Sequence, residues 1–172
     1  MTCDSALILI STFDIRMSQE TIVLSTEQIK RILKRISYQV IENFGNEEAL
    51  VVVGIPPRGI WVAEQVVDHI RSMSNINCDI IAYSERDTTP LIDVTGKNVL
   101  LIDDIVNSGT TMMKTAGEIS LAGAHQVKTA CLVDRMHRKF PIHSDFTGLS
   151  LATTIQEHLS LSITPEPNIT LH

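Results

Sequence analysis

Residues 49–54 read ALVVVG, an apolar stretch of strand length with three valines in succession. A strand covered on one face alternates apolar and polar residues, whereas a strand buried on both faces is apolar throughout. The second pattern belongs to parallel sheets sandwiched between helices, so it restricts the fold more than any other feature of the chain. It recurs at Asn98–Ile102 (NVLLI) and Val127–Val133 (VKTACLV), with a shorter candidate at Asp79–Tyr83. Segments of helical period lie between these runs. Ile29, Ile32, Leu33, Ile36, Val40, Ile41 and Phe44 recur at helical spacing behind a cap at Ser25 or Thr26, and Gly45 and Asn46 stop them. Ile60–Met73 reads as a second helix, with Ile60, Ala63, Val66, Val67 and Ile70 on one face, and Thr110–Leu121 as a third. The order predicts an α/β domain whose mostly parallel sheet is flanked by helices. Ser84–Thr95 is polar, contains Pro90 and reads as a loop. Phe146–Gly148 and Leu159–Ile163 are expected as short strands at one edge of the sheet. Residues 1–20 read as an N-terminal extension, 21–163 as the domain, and 164–172, with two prolines, as a loose tail.

The 172 residues, 44% of them hydrophobic, suffice for one domain with a real core, and with only 4% aromatics that core must be aliphatic. A net charge of −6 opposes a general nucleic-acid binder, whose surface is basic, while leaving room for a local basic patch. Cys3, Cys78 and Cys131 are scattered, which fits neither a disulfide framework nor zinc-ligand spacing and points to the reducing cytoplasm. The apolar run Ala6–Ile10 is too short to span a membrane and lacks the basic flank of a signal peptide.

Chemistry concentrates at residues 99–111, VLLIDDIVNSGTT. Four apolar residues lead into two adjacent carboxylates, Asp103 and Asp104, at the expected carboxyl end of a parallel strand, where α/β sheets bind ligands. Neither carboxylate can be buried unpaired without a large desolvation cost, so both must face hydroxyls, a hydrated metal or cationic side chains. Asn107, Ser108, Gly109, Thr110 and Thr111 follow and open a helix. Gly109 permits a tight turn, and the first helix amides have no internal partner, so together with the dipole they form an anion site. No Gly-Lys-Thr of a Walker loop is present. A phosphate at one end and hydroxyls a few ångströms away describe a ribose 5-phosphate. A second loop, GIPPRG at Gly54–Gly59, also follows a buried strand and precedes a helix, and the guanidinium fork of Arg58 can donate to two oxygens of a diphosphate at once.

The stretch VLLIDDIVNSGTT resembles the phosphoribosyl-diphosphate (PRPP) motif of type I phosphoribosyltransferases. TIVLSTEQIKRILKRISYQVIENF, VVVGIPPRGIWVAEQV, DVTGKNVLLIDD and LVDRMHRKFPIHSDFTG, in that order, resemble the branch of pyrimidine operon regulators with uracil phosphoribosyltransferase activity, over about Thr21 to Ile163. The resemblance implies the type I fold with a small hood, Mg2+ as cofactor, PRPP and a nucleobase (uracil foremost) as substrates, and a homo-oligomer. It implies that Asp103 and Asp104 bind the ribose hydroxyls and that Asn107–Thr111 hold the 5-phosphate. It further implies that Pro57, Arg58 and Gly59 meet the pyrophosphate, and that Arg86, in the flexible loop, reaches the same group. The basic segment Arg135-Met136-His137-Arg138-Lys139 then either lines the nucleobase pocket, through Arg135 and His137, or joins the Lys30–Arg35 helix in an RNA-binding face. Three departures stand out: Asn107, where an aromatic or another small residue is usual; Pro56-Pro57, where a lysine-containing loop is usual; and a shortened Ser84–Thr95. A short loop excludes water less well, which leaves three expectations: an enzyme, a nucleotide-sensing RNA-binding regulator, or a nucleotide binder with little turnover.

Overall fold

A computed structural model describes residues 20–45, 47–83, 93–154 and 157–172. The strands are β1 (Thr21–Leu24), β2 (Ala49–Gly54), β3 (Asn77–Ala82), β4 (Asn98–Val106), β5 (Gln126–Asp134), β6 (Phe146–Ser150), β7 (Leu159–Ser162) and β8 (Asn168–Leu171). The helices are α1 (Thr26–Phe44), α2 (Arg58–Met73) and α3 (Thr110–Leu121). Five strands form one parallel sheet in the order β3-β2-β4-β5-β6.

The apolar runs behave as buried strands should. Leu50, Val52, Leu100 and Ile102 pack on one face with α1 and α2, while Val51, Val53, Val99 and Leu101 pack on the other with Met112 and Ile119 of α3. Successive residues of a strand serve opposite faces, so both faces need a cover, and helices supply it. α1 starts with a reciprocal capping box: the Gln28 amide donates to Ser25 Oγ, and the Ser25 amide donates to Gln28 Oε1. Among the described residues no helix is long and apolar enough to cross a membrane.

Four expectations change. β4 does not end at Ile102 but runs on to Val106, so the acidic pair lies within the strand. The pairing with β2 nevertheless stops at Gly54–Ile102, while that with β5 continues, so Asp103 and Asp104 project past the end of one neighbour. α2 begins at Arg58, two residues before the expected Ile60, because Pro57 can take the N-cap position without a donor. Leu159–Ser162 is not an edge strand of the main sheet but belongs to a separate antiparallel sheet, ordered β1-β8-β7. Nor is 164–172 a loose tail: its prolines occupy the turn, and Asn168–Leu171 forms the central strand of that second sheet. Ile169 is fully buried, with Leu161 and Leu24, in the core on the α1–α2 side. Of the expected extension, 1–20, residues 1–19 lie outside the described residues, as does most of the Ser84–Thr95 loop.

Candidate functional site

The chain leaves β2 for β3 on one side and places β4 on the other, so the sheet has a topological switch point between β2 and β4, where a crevice opens beyond their carboxyl ends. The two loops singled out in the sequence meet there. The Ile55 amide donates to the Ile102 carbonyl at 2.9 Å, seating the GIPPRG loop beside the acidic pair. Gly59 packs so tightly against β4 that an added Cβ would lie 2.8 Å from the Ile102 carbonyl oxygen and 3.2 Å from Asp103 Cα. Only glycine allows this approach. The Pro56–Pro57 peptide is cis. Arg58 is the first residue of α2 and is exposed to solvent.

A pocket of about 130 Å³ lies after the acidic pair, lined by Asp103, Ile105, Val106 and the run Asn107–Met112. Asn107, Ser108, Gly109, Thr110 and Thr111, the run singled out in the sequence, are all in its wall. Gly109 is the N-cap of α3 at φ +79, a left-handed conformation that favours glycine. Ser108 Oγ accepts from the Thr110 amide at 3.3 Å and lies 2.8 Å from Thr110 Oγ1. Neither α2 nor α3 receives a side-chain cap from its N-cap residue, in contrast to α1. The positive end of each dipole therefore lies at the crevice, with the Thr110 amide of α3 held by Ser108 Oγ.

Asp103 is half-buried, and its carboxylate accepts from the Asp104 amide at 2.9 Å. Burial, reinforced by the neighbouring Asp104 carboxylate, pushes its pKa up to about 8. An acid so placed gains from hydroxyl donors or a cation. Among the described residues no three His, Cys, Asp or Glu gather to cage a metal. Hard oxygen donors standing as a pair fit Mg2+, which keeps its waters and leans on one or two carboxylates plus substrate phosphates.

The basic segment is turned inward. Arg135 is buried: Nη1 donates to Asn107 Oδ1 at 2.9 Å, Nε to Thr153 Oγ1, and Nη2 to Thr153 Oγ1 and to the Thr154 and Glu157 carbonyls. It steers Asn107 and ties β5 to the stretch before β7. His137 Nε2 lies 2.6 Å from the Thr153 carbonyl. Arg138 pairs with Asp134, and only Lys139 of the segment's cations is exposed. The expected RNA face thus loses Arg135 and Arg138, because long stems let guanidinium groups fold back onto buried acceptors. Arg86 lies outside the described residues. Sequence reasoning missed Thr153 as the hub of this network; a threonine three residues past a strand carries no signal of its own.

A family profile described as phosphoribosyl transferase domain matches residues 19–163. A curated relative from Microcystis aeruginosa, "Bifunctional protein PyrR", is 34% identical over 155 residues, covering 81% of this chain and 88% of the relative. "Pyrimidine operon regulatory protein" of Lactococcus lactis subsp. lactis is 32% identical, covering 76% and 83%. Among solved structures, a hypoxanthine-guanine phosphoribosyltransferase from Bacillus anthracis superposes with a TM-score of 0.65 at 23% identity, covering 76% of this chain and 80% of that one. The hypoxanthine phosphoribosyltransferase of Trypanosoma cruzi gives 0.66 at 17% identity, with 77% and 82% covered. These two likenesses establish the fold.

Proposed function

Since the chain belongs to the phosphoribosyl transferase domain family, we propose that it transfers a 5-phosphoribosyl group from PRPP to a nucleobase, uracil first, releasing pyrophosphate. The observation that carries this is the convergence, on one acidic pair at the switch point, of two helix N-termini whose N-cap residues, Pro57 and Gly109, give no side-chain cap. We assign the α3 terminus to the 5-phosphate and the α2 terminus to the diphosphate.

In the transfer, the bond from ribose C1 to the diphosphate oxygen breaks with its electron pair, and a bond from a base nitrogen to C1 forms as that nitrogen sheds its proton. Asp103 and Asp104 hydrogen-bond the ribose hydroxyls, and the acidic pair as a unit sets negative charge near the carbon that becomes cationic. The loop Asn107–Thr111 anchors the 5-phosphate and so fixes the reach of C1. Arg58, with the first amides of α2, receives the departing diphosphate; Arg86, which lies outside the described residues, is proposed to join it. Asp103 and Asp104 would hold Mg2+, which would supply charge neutralisation for the departing diphosphate. Asn107 is an amide and takes no proton; its Oδ1 is occupied by Arg135, which leaves its NH2 group to donate. His137 is proposed to border the base.

A second reading has an observation of its own. The names of the relatives include a pyrimidine operon regulator, so the same pocket is proposed to sense a pyrimidine nucleotide for an RNA-binding regulator. With Arg135 and Arg138 turned inward, that surface must rest on Lys139 and the exposed cations of α1. A cytoplasmic homo-oligomer is the assembly we propose for either role, and sedimentation tests it. Pyrophosphate release from PRPP and Mg2+ with uracil, hypoxanthine, guanine, adenine and orotate tests the enzyme. Release with one base, lost in Asp104→Asn, is the expected result. No release with any base overturns the catalytic reading and leaves nucleotide and RNA binding to be measured.

A further inference from the structure

The residues lining the phosphate pocket include no lysine or arginine, and their one ionisable group is the acid Asp103. A dianionic phosphate placed there needs a positive charge from another element. Arg138 stands behind the loop. A Cβ added at Gly109 would lie 3.4 Å from Arg138 Nη1, 3.7 Å from its Cδ and 2.8 Å from Ile142 Cγ2, so guanidinium and loop are in contact across that glycine. The backbone of the same turn is fastened to the loop, for the Lys139 amide donates to the Ser108 carbonyl at 3.0 Å. Nη2 of Arg138 donates to Asp134 Oδ2. Nη1 is buried, and among the described residues it has no hydrogen-bond partner. A buried, unpaired N–H of a cation is costly, and this one stands beside the loop.

Asp134 holds this arrangement by two grips. Its Oδ2 takes Arg138, and its Oδ1 accepts from the Met136 amide at 2.9 Å, closing a turn in which Met136 adopts φ +59. The acid therefore does two opposed things: it aims the guanidinium at the loop, and it neutralises part of its charge. Resting on the proposed role of the pocket as a phosphate site, we infer that Arg138 is a positioning residue that supplies the counter-charge of the phosphate loop from behind Gly109, with Asp134 setting how much of that charge the phosphate feels. Arg135 does not fill this role, because every one of its nitrogens is engaged by Asn107, Thr153, Thr154 or Glu157.

The test is calorimetric titration of the full chain with ribose 5-phosphate, in the parent and in Arg138→Met, Arg138→Lys and Asp134→Asn. Thermal melts accompany each variant to verify folding. Arg138→Met is expected to weaken binding about tenfold, the size of one partly screened charge near a phosphate. Arg138→Lys retains the charge and should stay within about threefold of the parent. Asp134→Asn is the discriminating variant: an amide can still accept from Met136, but it no longer offsets the guanidinium, so binding should tighten about threefold or more. If Arg138 merely braced the turn, both Arg138→Met and Asp134→Asn would weaken binding, and that outcome overturns the inference while leaving the pocket intact. Unchanged binding in Arg138→Met overturns it equally. A parent that binds no ribose 5-phosphate overturns the pocket's role, and the inference with it.

Discussion

Asp103 concentrates the conflict between stability and function. Its carboxyl titrates near 8 in the folded chain because burial and Asp104 disfavour the charge, against about 4 in the unfolded chain. Between those values the folded state holds a proton that the unfolded state has lost, so stability falls as pH rises from about 4 to 8 and levels off above. Asp103→Asn removes that slope. The variant is expected to melt above the parent at pH 8, with the gap closing toward pH 4, while losing ribose binding; thermal melts across this range check it, and a gap independent of pH would contradict it. Gly109 carries a second residue-scale prediction. Alanine there meets both the left-handed φ and Ile142, so Gly109→Ala should cost about 1–2 kcal/mol in urea unfolding and weaken nucleotide binding. Both sites were legible in the sequence, because a desolvated acid pair and a glycine before a helix each have few physical uses. The fate of Arg135 and Arg138 was not legible: a run of basic residues reads as surface until the acceptors that draw it inward, Thr153, Asn107 and Asp134, are placed by the fold.

At the level of elements, helix caps separate structure from function. α1 is capped by the side chain of its N-cap residue, and α2 and α3 are not. Ser25→Ala should therefore lower stability by about 1 kcal/mol and leave nucleotide affinity unchanged. Ser108→Ala, which removes a hydroxyl from the pocket wall, should weaken nucleotide affinity severalfold with little change in melting. Paired melting and titration curves for the two variants check the contrast. The central strands were legible because burial on both faces imposes apolar runs. β8 was not: it has four residues, follows two prolines, and gains its order from pairing with β1 at the opposite end of the chain, Thr21 with Leu171. Since β8 is the central strand of its sheet, Ile169→Ala should destabilise the chain by about 2–5 kcal/mol, read from denaturant unfolding. The continuation of β4 through Asp103 and Asp104 was hidden for a related reason: a strand ends where its neighbours stop pairing, and here one neighbour stops and the other goes on.

Across the whole molecule, the topology puts β2 and β4 side by side, so loops far apart in sequence share one crevice. Neither loop alone requires a sugar phosphate; their junction at Asp103, through Gly59 on one side and the Asn107–Thr111 pocket on the other, is what the proposed site rests on. Both proposed roles, turnover and sensing, require a nucleotide phosphate and ribose in this crevice. The most direct measurement is therefore a crystal structure of the chain with UMP and Mg2+. The predicted result has the phosphate oxygens within hydrogen-bond distance of the amides of Ser108–Thr111 and the ribose hydroxyls on Asp103 and Asp104. A nucleotide bound elsewhere, or in this crevice with its phosphate away from that loop, would contradict the assignment of the site.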